Sequence, residues 1–337
     1  MFFITNRMIR QGLKSKAGRK ITFRLGDGGY SEHVFYCERH GVNEYTEATS
    51  SVMMERIREG DYKEIILFVH GYNTLPEGQK EDGVNGLFQA AEALQASLDA
   101  FSPNSYLLLP IMWPTDDDRG MLKDYWDDRM SARAAGTPLA RVMAKFIKWR
   151  KDGLEEDSCF KRINLICHSM GALVLQSTLE TWQGTYTNVP RLFRSIFMFA
   201  ADIPNETLHR GQAGHAITDA CSAVSVYHAS DDLAMLTSKV VNIGEELTRR
   251  LGHTGPEDMS KVPSNVVAID CNDFNSDADP TGHGYYLRGK DGGVSPAFMH
   301  MAHTLHHGRV DVKEPIRRSL SEPNRLVLPS DYKNALF

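Results

Sequence analysis

The 337-residue chain has little cysteine: Cys37, Cys159, Cys167, Cys221 and Cys271 stand far apart, with no C-x-x-C pair among them. That spacing speaks against a disulfide framework and against a zinc ribbon, and it leads us to expect free thiols in a reducing compartment. Long apolar runs are missing too. Met1-Phe2-Phe3-Ile4-Thr5 gives way at once to Asn6 and Arg7, too short for the apolar centre of a signal peptide. No later run approaches the ~20 residues of a membrane span. We therefore expect a soluble, cytoplasmic protein. Lys and Arg number 38 against 43 Asp and Glu, a net charge of -5. The basic excess that draws a protein to nucleic acid or an anionic membrane is thus absent. There is no internal repeat and no low-complexity tract.

What is present is ordinary globular material, 42% hydrophobic and 24% charged, enough to build a sizeable core. The length suits an α/β core with insertions as well as it suits two domains. Residues 1 to 24 carry Arg7, Arg10, Lys14, Lys16, Arg19, Lys20 and Arg24 without one acid; we read them as a solvated loop between two edge strands. Strand, turn and strand follow over Ile21–Leu25, Gly26–Gly29 and Val34–Cys37, then a helix over Thr46–Glu59.

From there continuous apolar runs alternate with helical patterns. Ile65–Val69, Tyr106–Met112, Ile163–Cys167, Ser195–Ala201, Ala223–Ala229 and Val266–Ile269 read as strands covered on both faces. Helical spacing marks about Val84 to Leu98, Ser131 to Trp149 with a break at Gly136-Thr137-Pro138, and the stretch after Ser169. Strands alternating with helices define an α/β protein with a mainly parallel sheet flanked by helices. Three parts are expected: an amino-terminal strand and helix extension (1–60), an α/β core (61–310) with an insertion near 236–262, and a polar tail (311–337). The tail is expected to drape over the core or to lack fixed order.

In such sheets sites form beyond the carboxyl ends of strands, and His70-Gly71, Ser169, Asp231-Asp232 and His283 all fall there. Ile163 to Cys167 stops at His168-Ser169-Met170-Gly171, a strand turning through a serine into a helix, as in a nucleophile elbow. Gly171 and Ala172 are small where strand and helix nearly touch; Cys167 stands where the G-x-S-x-G pattern has its first glycine. A serine before a helix also suits a plain N-cap. A serine hydroxyl needs a base, and the base an orienting acid. The chain offers serine, acid and histidine in the order the α/β-hydrolase fold requires. Asp232, Asp231 and Asp202 compete as the acid, Asp202 also suiting a helix cap near Asn205. An oxyanion needs two backbone N–H donors, for which we assign Met170, after the nucleophile, and Tyr72, where Gly71 lets the backbone bend. His70 is read as bracing that loop. His168 is expected to leave its strand on the face opposite the serine.

The segments F-V-H-G-Y-N, I-M-W-P, D-D-R-x-S-A, H-S-M-G-A-L, Y-H-A-S-D-D-L-A-M and G-H-G-Y-Y together resemble a bacterial branch of the alpha/beta-hydrolase superfamily. That branch is a domain of unknown function for which an esterase- or lipase-like activity is expected. The resemblance runs from about Glu64 to Tyr286 and implies Ser169 as nucleophile, Asp232 as acid and His283 as base. It implies no substrate.

The expected activity is that of a cofactor-free serine hydrolase on a small-molecule ester. Acyl transfer, thioester or amide cleavage would use the same triad; a silent hydrolase fold used for binding is the reading from another class. No metal is expected. His300, His303 and His307 share a helical face but lack the acid of an H-E-x-x-H pattern, and Asp116-Asp117-Asp118 cannot all face one ion. Asp127, Asp128, Arg129 and Arg133 are read as structural ion pairs, and residues 72 to 86, 114 to 130 and 236 to 262 as the roof of the pocket.

Overall fold

A computed structural model describes residues 1–25, 29–78, 86–115, 121–151, 159, 161–186, 188–234, 249–277 and 279–332. The Gly26–Gly28 turn, the expected helix start at Val84, the triple aspartate at 116–118 and much of the expected roof lie outside those residues. The chain divides into two compact units, Met1–Ile163 with Ser177–Asn188, and Asn164–Gln176 with Val189–Phe337. The division runs just before the serine elbow and through the helix after it.

The first unit orders its strands β5-β6-β1-β3-β4-β2. These are β1 (Phe2–Arg7), β2 (Lys20–Ile21), β3 (Tyr30–Gly41), β4 (Glu44–Ala48), β5 (Glu64–Val69) and β6 (Tyr106–Met112). β5, β6 and β1 run parallel, and β3, β4 and β2 continue antiparallel. Ile65, Ile66, Phe68 and Val69 are all buried, as a strand covered on both faces requires. β1 corrects one expectation. Expected within a solvated loop, residues 2–7 instead form a strand between β6 and β3, because Phe3 and Ile4 offer apolar side chains to both faces and both are buried. Arg7 is buried with it, its guanidinium donating to the carbonyl oxygens of Arg24 and Thr115.

A second correction concerns Thr46 to Glu59. Tyr45 and Glu47 alternate inward on β4, and the helix α1 starts only at Ser50 (Ser50–Glu59), capped by the Thr49 hydroxyl, which accepts the Val52 N–H at 3.2 Å. Its Met53, Met54 and Ile57 join Ile4, Tyr36, Ile65 and Leu109 in one apolar cluster. α2 (Leu87–Phe101) buries Phe88 edge-on against Phe3, ring centroids 4.9 Å apart. α3 (Met121–Ala134) and α4 (Gly136–Lys151) meet at Gly136, where a Cβ would stand 2.6 Å from the Ser177 carbonyl oxygen. The interruption seen in the sequence is therefore a close approach that only glycine permits.

The second unit orders its strands β11-β12-β10-β9-β8-β7. β7 (Arg162–His168), β8 (Phe193–Phe199), β9 (Cys221–His228), β10 (Val266–Asp270) and β12 (Arg325–Val327) are parallel; only β11 (Arg317–Arg318) is antiparallel. The helices are α5 (Gly171–Thr185), α6 (His215–Asp219), α7 (Leu251–Thr254) and α8 (Pro296–His307). The tail is a third correction. It does not simply drape: β12 extends the sheet beyond β10, and Leu326, Leu328 and Tyr332 are buried. The short run Leu326-Val327-Leu328 in a polar stretch was too little to read as a strand, yet it covers the otherwise open edge of β10.

Candidate active site

β7 ends at His168, and Ser169 turns the chain into α5 with φ of 53°. A serine N-cap has an extended backbone, so the left-handed φ separates this residue from a plain cap. Holding a non-glycine residue there costs ~1–3 kcal/mol, and the surroundings must over-determine it. They do so from β8 and the loop after it. The Ser169 N–H donates to the Phe199 carbonyl at 2.9 Å, and the Ser169 carbonyl accepts from Asp202 at 3.0 Å and Ala172 at 3.1 Å. The Met170 N–H stands at the mouth of α5, where first-turn N–H groups have no acceptor within the helix. Cys167, the discordant letter of the pentapeptide, is fully buried one position before His168. Burial raises its thiol pKa well above the ordinary value, so it stays a neutral core side chain.

β9 leads to Asp232. After His228 the chain passes Ala229 and Ser230 to Asp232, whose side chain is wholly buried. Asp232 Oδ2 lies 2.7 Å from Nδ1 of His283, which is presented by the loop beyond β10. The three acids that compete in the sequence have three different partners. Asp231 is exposed and accepts from Asn275 Nδ2 at 2.7 Å; Asp202 is buried 3.3 Å from the Arg250 guanidinium; Asp232 meets the imidazole. Burial opposes a charged ring at His283. The hydrogen bond and charge of Asp232, with the charges of Asp202 and Asp279, outweigh it and hold the His283 pKa above its usual value.

His168 meets the His283 loop. Its ring lies 4.7 Å from that of His283 and 4.5 Å from that of Tyr286, and its Nε2 is 3.2 Å from the His283 carbonyl oxygen. Alternation along the strand turns it away from the direction of its neighbours, but the His283 loop comes round to meet it. The G-H-G-Y-Y segment and the turn before it hide two supports that the sequence did not show. The Tyr285 hydroxyl donates to the Tyr227 carbonyl at 3.0 Å and accepts the Ala200 N–H at 3.1 Å, tying the loop to β8 and β9. Asp279 organises the turn before His283. Its Asp-Pro dipeptide was a readable turn signal, but nothing in the sequence says which later N–H groups the carboxylate would reach.

In the first unit, His70 follows β5 and lies flat on Trp113, ring centroids 5.1 Å apart and 8° from parallel. Nδ1 is 2.9 Å from the Gly71 carbonyl oxygen, Nε2 is 3.2 Å from that of Trp113, and Trp113 Nε1 donates back to the His70 carbonyl at 2.8 Å. Burial lowers the His70 pKa to about 3, with the Arg7 charge adding to it, so this ring stays neutral. Beyond Gly71, the Tyr72 ring stands edge-on to Tyr125 at 5.8 Å. Asn73, at φ 51°, donates its N–H to Asp128 Oδ2 at 3.0 Å, and Thr115 Oγ1 donates to the Thr74 carbonyl at 2.6 Å. The W-P and D-D-R segments of the sequence thus both brace the His70–Thr74 turn. Arg129 leans over Tyr125 and Trp126.

The carboxy-terminal histidines have other work. His300 is buried in α8, with Nδ1 2.8 Å from the Tyr227 hydroxyl and Nε2 3.1 Å from the Asp311 carbonyl oxygen; burial lowers its pKa to about 4. The His303 and His307 rings lie 4.3 Å apart. Among the described residues no group of three or more His, Cys, Asp or Glu side chains is placed to hold a metal ion, and no helix is long and apolar enough to cross a membrane.

The family described as alpha/beta hydrolase of unknown function (DUF900) matches residues 45–291. No curated protein matches the chain. Among solved structures it is similar to a Trichoderma reesei cutinase in complex with a phosphonate inhibitor, at 14% identity over 58% of this chain and 69% of that one, with a TM-score of 0.30. A cutinase-like protein from Cryptococcus sp. shares 9% identity over 63% of this chain and 78% of its own, TM-score 0.30. Carboxyl esterase 2 of Tuber melanosporum shares 11% over 80% and 70%, TM-score 0.29.

Proposed function

The chain belongs to the alpha/beta-hydrolase family of unknown function (DUF900), and from that premise we propose that it is a serine hydrolase cleaving a carboxylic ester through an acyl-enzyme on Ser169. The observation that carries the reading is the 2.7 Å contact between buried Asp232 and Nδ1 of His283, in the same compact unit as a serine held in the left-handed region. A carboxylate on Nδ1 fixes the tautomer with its proton there. Nε2 is left as the basic nitrogen, and the imidazolium formed in the reaction is stabilised.

In this reading His283 Nε2 takes the Ser169 hydroxyl proton as Oγ attacks the ester carbonyl. The oxyanion receives the Met170 N–H. Collapse of the tetrahedral adduct expels the alcohol with the proton from His283. Water, deprotonated by the same ring, then releases the acid and restores Ser169. The substrate is a small ester or acyl compound, and no step calls for a cofactor. Labelling by a fluorophosphonate probe and turnover of short p-nitrophenyl esters test the proposal. Wild type should label and turn over, and a folded S169A variant should do neither. Equal behaviour of the two would sink it.

A further inference from the structure

The six-residue turn from Asp279 to Gly284 is organised around one carboxylate. Asp279 Oδ1 accepts the Thr281 N–H at 3.0 Å and the Thr281 hydroxyl at 2.8 Å. Oδ2 accepts the N–H of His283 at 3.0 Å and that of Gly284 at 2.6 Å. The Asp279 carbonyl takes the remaining N–H, from Gly282, at 2.8 Å, and Gly282 sits at φ 70°, which a side chain would strain. On the other flank Asn275 Nδ2 bridges the Gly282 carbonyl at 3.2 Å and Asp231 at 2.7 Å. Four donors on one side chain exceed what a turn needs to close, and two of them belong to the histidine and its neighbour.

We propose that Asp279 is a positioning residue for the hydrolase reaction: its carboxylate fixes the backbone that presents the His283 imidazole to Asp232. The proposal rests on the reading of His283 as the base. Near-attack geometry tolerates little error, and a base whose backbone drifts by about 1 Å loses about 100-fold in rate. Asp279 is also a second negative charge beside the ring. Burial disfavours its ionised form, but the hydrogen bonds from Gly284, Thr281 and His283 prevail and hold it ionised. The other groups facing His283 are Asp232 after β9, Asp202 after β8 with its partner Arg250, and the His168 ring at the end of β7. Asp279 contributes from the loop itself, so neutralising it moves the proton equilibrium of His283 in a known direction, downward.

The test compares wild type with D279N, which keeps the shape and one acceptor oxygen but loses the charge, and with T281A, which loosens the turn and keeps the charge. Two readouts are taken: the pH profile of kcat/KM on p-nitrophenyl acetate, and the NMR titration of the His283 Cε1–H in the resting protein. D279N should lower kcat by about 10- to 100-fold with KM within about twofold. It should also move both the acid limb and the NMR titration to lower pH. T281A should lower kcat about two- to fivefold with the titration unmoved. A folded D279N with wild-type kcat and an unmoved His283 titration overturns the proposal; should D279N not fold, an unchanged kcat in T281A overturns it. If wild type has no ester turnover at all, the reading of the reaction fails, while a downward NMR shift in D279N still upholds the role of Asp279 toward His283.

Discussion

His70 and His283 each sit in a turn just past a buried parallel strand, one in each compact unit, and each is flanked by glycine. Their electrostatics are opposite. Both nitrogens of His70 lie against backbone carbonyl oxygens beneath Trp113, and burial drives its pKa to about 3. His283 is also largely enclosed, with 17% of its side chain exposed, yet its pKa is raised, because a buried carboxylate meets Nδ1. The lesson is that burial alone makes a histidine a neutral brace. A fixed carboxylate makes the same side chain a base that can hold a proton and return it.

The comparison breaks most severely at Asp232. D232N keeps the shape of the contact but lets the ring adopt the other tautomer, and kcat on a p-nitrophenyl ester should fall about 10⁴-fold. Retention of more than a tenth of wild-type activity would remove Asp232 from its role. H70N is the matching change on the other side. It removes a neutral ring from the His70–Thr74 turn and should leave the acid limb of kcat/KM where wild type has it. A moved limb would mean that His70 titrates in the reaction.

The two rings also pull stability in opposite directions with pH. The folded pKa of His283 lies above its unfolded value, so its stabilisation is complete below the unfolded pKa and is lost as pH rises through the folded one. His70, His228 and His300, with folded pKa values lowered to about 3, 3 and 4, act the other way. The unfolded chain binds their protons first, so stability falls as pH drops from the ordinary histidine range toward those values. Urea midpoints taken from pH 7 to pH 4.5 should therefore decline, and the H70N slope should be shallower than that of wild type. For catalysis the sign is simpler: kcat/KM falls as pH drops through a His283 pKa above 6.5. The smallest effect is expected from W113F, which strips the donor from the His70 carbonyl and should lower stability by about 1–3 kcal/mol, read from the urea midpoint, without moving the pH profile.

Much of this arrangement was legible along the chain because strands covered on both faces announce themselves as continuous apolar runs. The residues just past their ends are then the natural place to look for chemistry. Ser169, the Asp231-Asp232 pair and His283 were singled out that way as candidates. The elements misread were those whose apolar residues are few or alternate weakly: β1, taken into a solvated loop; β4, taken into a helix; and β12, lost in a polar tail. The surroundings of His168 were hidden for a different reason. Strand alternation fixes where its side chain starts, and says nothing of the loop more than 100 residues later that closes over it.

The sequence by itself determined the α/β class, the order serine, acid, histidine, and the family, since these depend on periodicity and on residue types read one after another. Which of three aspartates meets the histidine was decided only by the tertiary structure. Asp202 is engaged by Arg250 and Asp231 by Asn275, and a charge can serve a ring only where the fold brings it within hydrogen-bond reach. Asp279 belongs to the same category. As a letter it is an acid before a proline, and its four bonds exist only once the turn has closed around it.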